Sequence, residues 1–189
     1  MVDLGAYKDK FGDSGQRVLE KALGESRRRD QNYITVEHII HALAKEESEL
    51  FNSTIRSLAV DPAAVTGAID RRLDNARQHV GKGFRIAPDT TDLFKRAMER
   101  ARSRGRKTIE STDIFDVLSK DDSLLVEVLR GLGATPDLVV ERIKTNVDER
   151  ERQEEQYRKK FELPAYLKHF GVSLNRMARQ AKIPPTIAG

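Results

Sequence analysis

Apolar residues along this chain recur at helical spacing. Val18, Leu19, Ala22 and Leu23 are separated by three- and four-residue steps, so they share one helix face. Arg17, Lys21 and Arg27 to Arg29 fall on the opposite face. This first helix is expected to start from a cap at Asp13 or Ser14, just after Phe11 and Gly12, and to end at Asp30-Gln31-Asn32. Thr35 then stands as the cap of a second helix with Val36, Ile39, Ile40 and Leu43 inward. Leu50, Phe51, Ile55 and Leu58 mark a third. Asp61-Pro62, a cap followed by the proline suited to a first turn, opens a fourth lined by Val65, Ile69 and Leu73.

The pattern then repeats. At an offset of 75, Ala22 falls on Ala97, Ile34 on Ile109, Ile39 on Ile114 and Leu43 on Leu118. After a one-residue gap the offset is 74, and Leu50 falls on Leu124, Leu58 on Leu132, Pro62 on Pro136 and Ile69 on Ile143. The second set of inward positions runs through Phe94, Met98, Phe115, Val128, Leu129 and Leu132 to Val139 and Val147, with Thr135-Pro136 as its last cap. No run alternates as a half-buried strand does. The expected fold is all-α, a pseudo-twofold tandem repeat of two four-helix modules within residues 1–147. Module one covers 11–80 and module two 87–147. Between them, Gly81-Lys82-Gly83 reads as a flexible connection. Residues 148–162 are almost wholly charged or polar, with no apolar face to bury, and read as a charged linker.

An amphipathic helix, a short turn, the start Ile34-Thr35-Val36-Glu37-His38-Ile39-Ile40, two more helices, and then the same order again form a specific sequence of elements. Over residues 11 to 147 it resembles the N-terminal domain of the Clp unfoldases, AAA+ chaperones that feed proteins to a protease or pull aggregates apart. Residues 163–189 resemble the lead-in to the first AAA+ module of that family. Pro184 replaces the usual acidic residue there, and Ala188-Gly189 stands where the family has Gly-Arg.

The resemblance implies a non-catalytic domain of protein quality control and the stress response. Its partners would be adaptor proteins and unfolded or tagged substrates, with an AAA+ hexamer and a peptidase reached through the parent chain. Phe11, Thr35, Glu37, His38, Thr112 and Asp113, at the module junction and helix starts, are the candidate peptide- or adaptor-binding residues. Glu37 matches a family glutamate that in some members holds the guanidinium of phosphoarginine, a role suited to a carboxylate. An acidic residue in a first helical turn is also favoured by the helix dipole alone. Thr112 occupies the matching place in module two, with Asp113 beside it, so a symmetric pair of such sites is not expected. A stand-alone decoy or regulator is the other reading of a chain that stops at Gly189.

Composition narrows the chemistry. The phosphate-loop pattern Gly-x-x-x-x-Gly-Lys-Ser/Thr does not occur, so no cofactor is expected in this chain, and ATP and magnesium only in a following AAA+ module. No serine sits in a nucleophile elbow, and no enzyme activity is expected. The chain has no cysteine, which removes thiolate chemistry and suits a reducing compartment. Met1 to Lys10 has no apolar run and no segment reaches membrane-spanning length, so a cytoplasmic protein with no membrane contact is expected. His38 and His41 are three apart on one helix, but no third histidine or cysteine is near; His38 is expected beside the cap and His41 towards solvent. The run from Lys95 to Lys107 has seven basic residues against one acidic. That makes a nucleic-acid-binding regulator an alternative, although no aromatics interleave the charge and the acidic 110–127 stretch can balance it. Hexamers come from AAA+ modules, so this piece is expected as a monomer.

Overall fold

The offset in the sequence is also the offset of the helices. The computed structural model describes residues 2–77, 83–120 and 122–161. Module one contains α1 (Asp13–Arg28), α2 (Val36–Glu46), α3 (Ser48–Ser57) and α4 (Pro62–Asp74). Module two contains α5 (Pro88–Ser103), α6 (Ser111–Val117), α7 (Leu124–Gly131) and α8 (Pro136–Lys160). Each helix starts close to where the repeat places it, although the capping residues differ between the modules. Asp61 accepts the Ala63 N–H ahead of Pro62, and Ser123 accepts the Val126 N–H at the start of α7. Asp30 and Asn32, residue types that tolerate the left-handed region, turn the chain after α1 with φ of 53° and 58°.

The inward residues of both modules form one core. Phe51, Phe94, Phe115, Ile39, Leu43, Ile55 and Ile69 are among its fully buried side chains. Each contributes about 1.5–3 kcal/mol relative to exposure, so the core is the main stabilising term. Phe51 and Phe115, one from each module, meet with ring centroids 5.8 Å apart. Contacts divide the chain into a compact unit, Met1–Val147, and a second unit, Asp148–Gly189. In the second, residues 148–160 are the continuation of α8, held on their surface by pairs such as Arg152–Glu149 and Lys159–Glu155.

The fold is all-α, as expected, but it also carries short strands that no alternation could announce. They are β1 (Val2–Asp3), β2 (Tyr33–Ile34) and β3 (Arg85–Ile86), in the order β1-β3-β2. β3 runs parallel to β2, with Ile86 against Ile34, and antiparallel to β1, with Val2 against Ile86 and Asp3 against Arg85. A parallel bridge joins Phe11 to Ile109. At the repeat offset Phe11 corresponds to Ile86 and Ile109 to Ile34. Each module therefore lends the extended residue before its first helix to the residue before the other module's second helix. Arg85 and Ile86 belong to this exchange rather than to a loose connection; Gly81 and Lys82 lie outside the described residues.

The exchange explains a further departure. No side chain of Asp13 or Ser14 caps α1; its N-cap is Gly12. The Ser14 N–H donates instead to Glu110 Oε2 at 3.0 Å, and the Ser14 hydroxyl also bonds that oxygen. Such close approach leaves no room at two positions. A Cβ on Gly12 would lie 1.6 Å from Glu110 Oε1, and one on Gly15 2.1 Å from the Ile109 carbonyl oxygen. Leu132, expected inward, is the exposed large apolar residue among those described, at 38%. It caps the C-terminus of α7, where the chain turns out through Gly133.

Before α1, a 3-10 helix spans Leu4–Lys10. Its three-residue turn stacks Leu4 and Tyr7 on one side. Leu4 packs on the core, and the Tyr7 ring lies 5.5 Å from Phe94. Residues 163–189, His79 and His169 lie outside the described residues.

Candidate functional site

The start of α2 is built around His38. Thr35 is the N-cap, and His38, three residues on, reaches back so that its Nδ1 accepts the Thr35 N–H at 3.0 Å. The other ring nitrogen lies 2.6 Å from Gln31 Oε1, and Gln31 Nε2 donates to the Leu73 carbonyl at 2.7 Å. An accepting Nδ1 requires the proton on Nε2, so the ring is neutral and donates to Gln31. Burial pushes its pKa down to about 4. His38 is fully buried. It fastens the start of α2 to the end of α4 and presents nothing to a ligand.

Glu37 is different. It is half-buried in the first turn of α2, and its carboxylate has no hydrogen bond or ion pair among the described residues. Beside it, burial and the Glu37 charge push the Tyr33 phenol up. Tyr33 Oη donates to the Arg77 carbonyl at 2.5 Å, which holds the ring against the His38 edge. Thr35 is also half-buried. This half-open carboxylate at a helix start can receive a guanidinium or ammonium group, while first-turn N–H groups suit an anion.

The start of α6 has the same device and the opposite exposure. Glu110 is the N-cap, and Asp113, the repeat partner of His38, accepts the Glu110 N–H at 2.8 Å. Thr112 and Asp113 are 3% and 0% exposed, so a ligand reaches neither. Arg100 Nη1 donates to Asp113 at 2.7 Å, and both terminal nitrogens of Arg106 donate to it, at 2.5 and 2.8 Å. Phe11 is buried too, edge-on to Phe94 at 5.0 Å and bridged to Ile109. Of the six candidates, Thr35 and Glu37 form an accessible pair, His38 supports them, and Phe11, Thr112 and Asp113 belong to the module junction. The supporting residues Gln31, Arg100, Arg106 and Glu110 were not singled out from the sequence. The repeat held one signal, because it aligns His38 with Asp113, two residue types able to accept a cap N–H.

The basic run from Lys95 to Lys107 is extensively neutralised. Arg96 pairs with Asp92 at 3.0 Å and Asp122 at 3.2 Å; Arg100 pairs with Asp113 and Asp116. His41 is held between Asp70 at 3.1 Å and Glu25 at 3.6 Å rather than facing solvent. Among the described residues no group of three or more His, Cys, Asp or Glu could hold a metal ion, and no helix is long and apolar enough to cross a membrane.

Residues 10–115 match the Clp repeat (R) N-terminal domain family. The chain is 20% identical over 186 residues to the chloroplastic chaperone protein ClpC1 of Arabidopsis thaliana, covering 96% of this chain and 20% of that protein. It thus spans about a fifth of the length of the curated relatives it matches. The fold is similar to the Hsp104 N-terminal domain of Candida albicans, with a TM-score of 0.61 and 10% identity over 71% of this chain and 89% of that one. It is also similar to a ClpV N-domain in complex with a VipB peptide, with a TM-score of 0.56 and 15% identity over 78% and 92% of the two chains. With the family pattern covering more than half of its residues and the doubled four-helix fold in place, the chain belongs to the Clp repeat N-terminal domain family.

Proposed function

We propose that this chain is a protein-recognition domain. It binds adaptors or exposed segments of misfolded proteins and passes them to a Clp-type ATP-driven unfoldase, with no chemistry of its own. The observation that carries this reading is the shared fold with a ClpV N-domain that is itself in complex with a peptide. Glu37 supports it, as a half-buried carboxylate with no partner among the described residues at the start of α2. ATP and magnesium belong, in this reading, to an AAA+ module, and the setting is the cytoplasm. The charged 148–162 linker would keep bound segments at high effective concentration near the motor. The balanced charges around Arg96, Arg100 and Arg106 weigh against nucleic acid as the partner.

The finer reading is that Glu37 holds a guanidinium, phosphoarginine among its sources. The test is a titration followed by amide chemical shifts, with an unfolded, alkylated polypeptide and its arginine-phosphorylated form as probes. Saturable shifts at Thr35 to His38 are expected, with at least tenfold weaker binding of the phosphorylated probe to Glu37→Ala. If neither probe moves any amide at millimolar concentration, the recognition reading fails. If both bind equally well to Glu37→Ala, only the guanidinium assignment fails.

A further inference from the structure

The N-terminal arm, Val2 to Lys10, stands apart from the rest of the fold. It precedes the residues that match the family, 10–115, except for Lys10 itself. Yet it packs against apolar residues of the junction. β1 pairs with β3 over two residues, Leu4 packs on the core, and Tyr7 lies against Phe94. Beneath it, Ile86 and Phe94 are 0% and 1% exposed and Phe11 is 7% exposed.

β1 lies outside the two pairings that join the modules, on the outer edge of β3. The module exchange needs two pairings, Phe11 with Ile109 and Ile86 with Ile34. Among the described residues, no second strand joins Phe11. On the Ile86 side a third strand sits on the outer edge. An edge strand offers backbone N–H and C=O groups to any extended chain. A two-residue ladder and a single 3-10 segment are a weak hold, of the kind that opens locally at small cost.

We infer that the outer edge of β3, with the Phe94 ring beside it, is a docking site for an extended segment of a partner polypeptide, and that the chain's own arm fills it until such a segment displaces it. The ladder supplies affinity irrespective of sequence, and the Phe94 bed selects a segment with an aromatic ring a few residues after the paired strand. This rests on the protein-recognition reading above but places the contact away from Glu37.

The absence of cysteine makes the arm testable in the full chain. Asp3 and Arg85 are antiparallel partners, and the roughly 4.5–5.5 Å between such Cα atoms suits a disulfide. The probe is a fluorescein-labelled peptide with the sequence of residues 1–10, followed by anisotropy. The Asp3→Cys/Arg85→Cys protein should bind it when reduced and at least tenfold more weakly when oxidised, with recovery on reduction. Tyr7→Ala, which loosens the arm, should bind it more tightly than wild type. Equal affinity in the oxidised and reduced states would overturn the inference, as would no binding to either the reduced protein or Tyr7→Ala, or failure of the disulfide to form. A concentration-dependent dimer of the reduced protein would give the edge to a second copy and overturn it as well. None of these outcomes touches the Glu37 titration, so the two readings can fail separately.

Discussion

Gly15 and Gly24 lie in the same helix under opposite constraints. A Cβ on Gly15 meets the Ile109 backbone oxygen, which is held by the inter-module bridge, so the two modules must separate to admit it. A Cβ on exposed Gly24 meets nothing within 4 Å. Gly15→Ala should therefore destabilise by about 2–3 kcal/mol, whereas Gly24→Ala should stabilise by about 1 kcal/mol through helix propensity. Urea unfolding of the two variants checks this, and equal midpoints would contradict the tight junction. Neither demand is readable from the residue alone. Gly15 reads as a weak helix former until its repeat partner Thr90 is seen donating to the Ile34 carbonyl at 3.1 Å, the same cross-module contact made by a hydroxyl. Local pattern identifies the inward residues because burial repeats with the helix turn. It does not identify a glycine whose reason lies near a hundred positions away.

At the scale of elements, several helix starts were legible and the strands were not. Capping is local chemistry within three or four residues, so Thr35 and Asp61 announce their helices, whereas the cap expected at Asp13 or Ser14 gives way to the contact of Ser14 with Glu110. β1, β2 and β3 have two residues each, too few for alternation, and their pairings are set by the packing of the modules. The accessible part of the candidate site was legible as Thr35 and Glu37, because both belong to one helix start. The burial of Thr112 and Asp113 was not, because it depends on α5 and α1 closing over α6. His38 gives the start of α2 a pH dependence. Its ring is neutral when folded, with a pKa near 4, and takes a proton near pH 6.5 when unfolded. Between those values the unfolded chain binds a proton that the folded one refuses. Stability is thus full above pH 6.5 and declines as pH falls to 4, by about 3 kcal/mol. Below about pH 4.5 Glu25 adds a second loss, because its hydrogen bond from Arg28, with Arg29, holds its pKa at about 2 against the burial that would raise it. Unfolding free energies measured at pH 7.5, 6 and 5 should fall for the wild type and change much less for His38→Asn. A flat wild-type profile would remove His38 from this role.

At the scale of the whole molecule, one core and two exchanged pairings make the modules interdependent. Phe51 packs on Phe115, Asn146 donates to Thr54 at 2.8 Å, and Ser111 donates to Glu47 at 3.1 Å. Residues 1–147 should therefore unfold in one transition, with near- and far-ultraviolet circular dichroism coinciding. Two separated transitions would show that the modules are independent. The shared core was readable from the apolar positions of both repeats, but the exchange was not, because Phe11 and Ile86 look like ordinary residues before a helix.

That exchange has a consequence for ancestry. Each module supplies one extended residue and one acceptor, and the two pairings are related by the pseudo-twofold. This is the self-complementary logic of a twofold dimer, carried out within a single polypeptide. A chain holding only the first module would have Phe11 and Ile34 but neither of their partners, and a second copy could supply both. The doubled sequence is what a gene duplication leaves when it joins the subunits of such a dimer. Once they were joined, the halves were free to differ, as they do where Glu25 stands beside His41 in one module and Arg100 beside Asp116 at the matching places of the other.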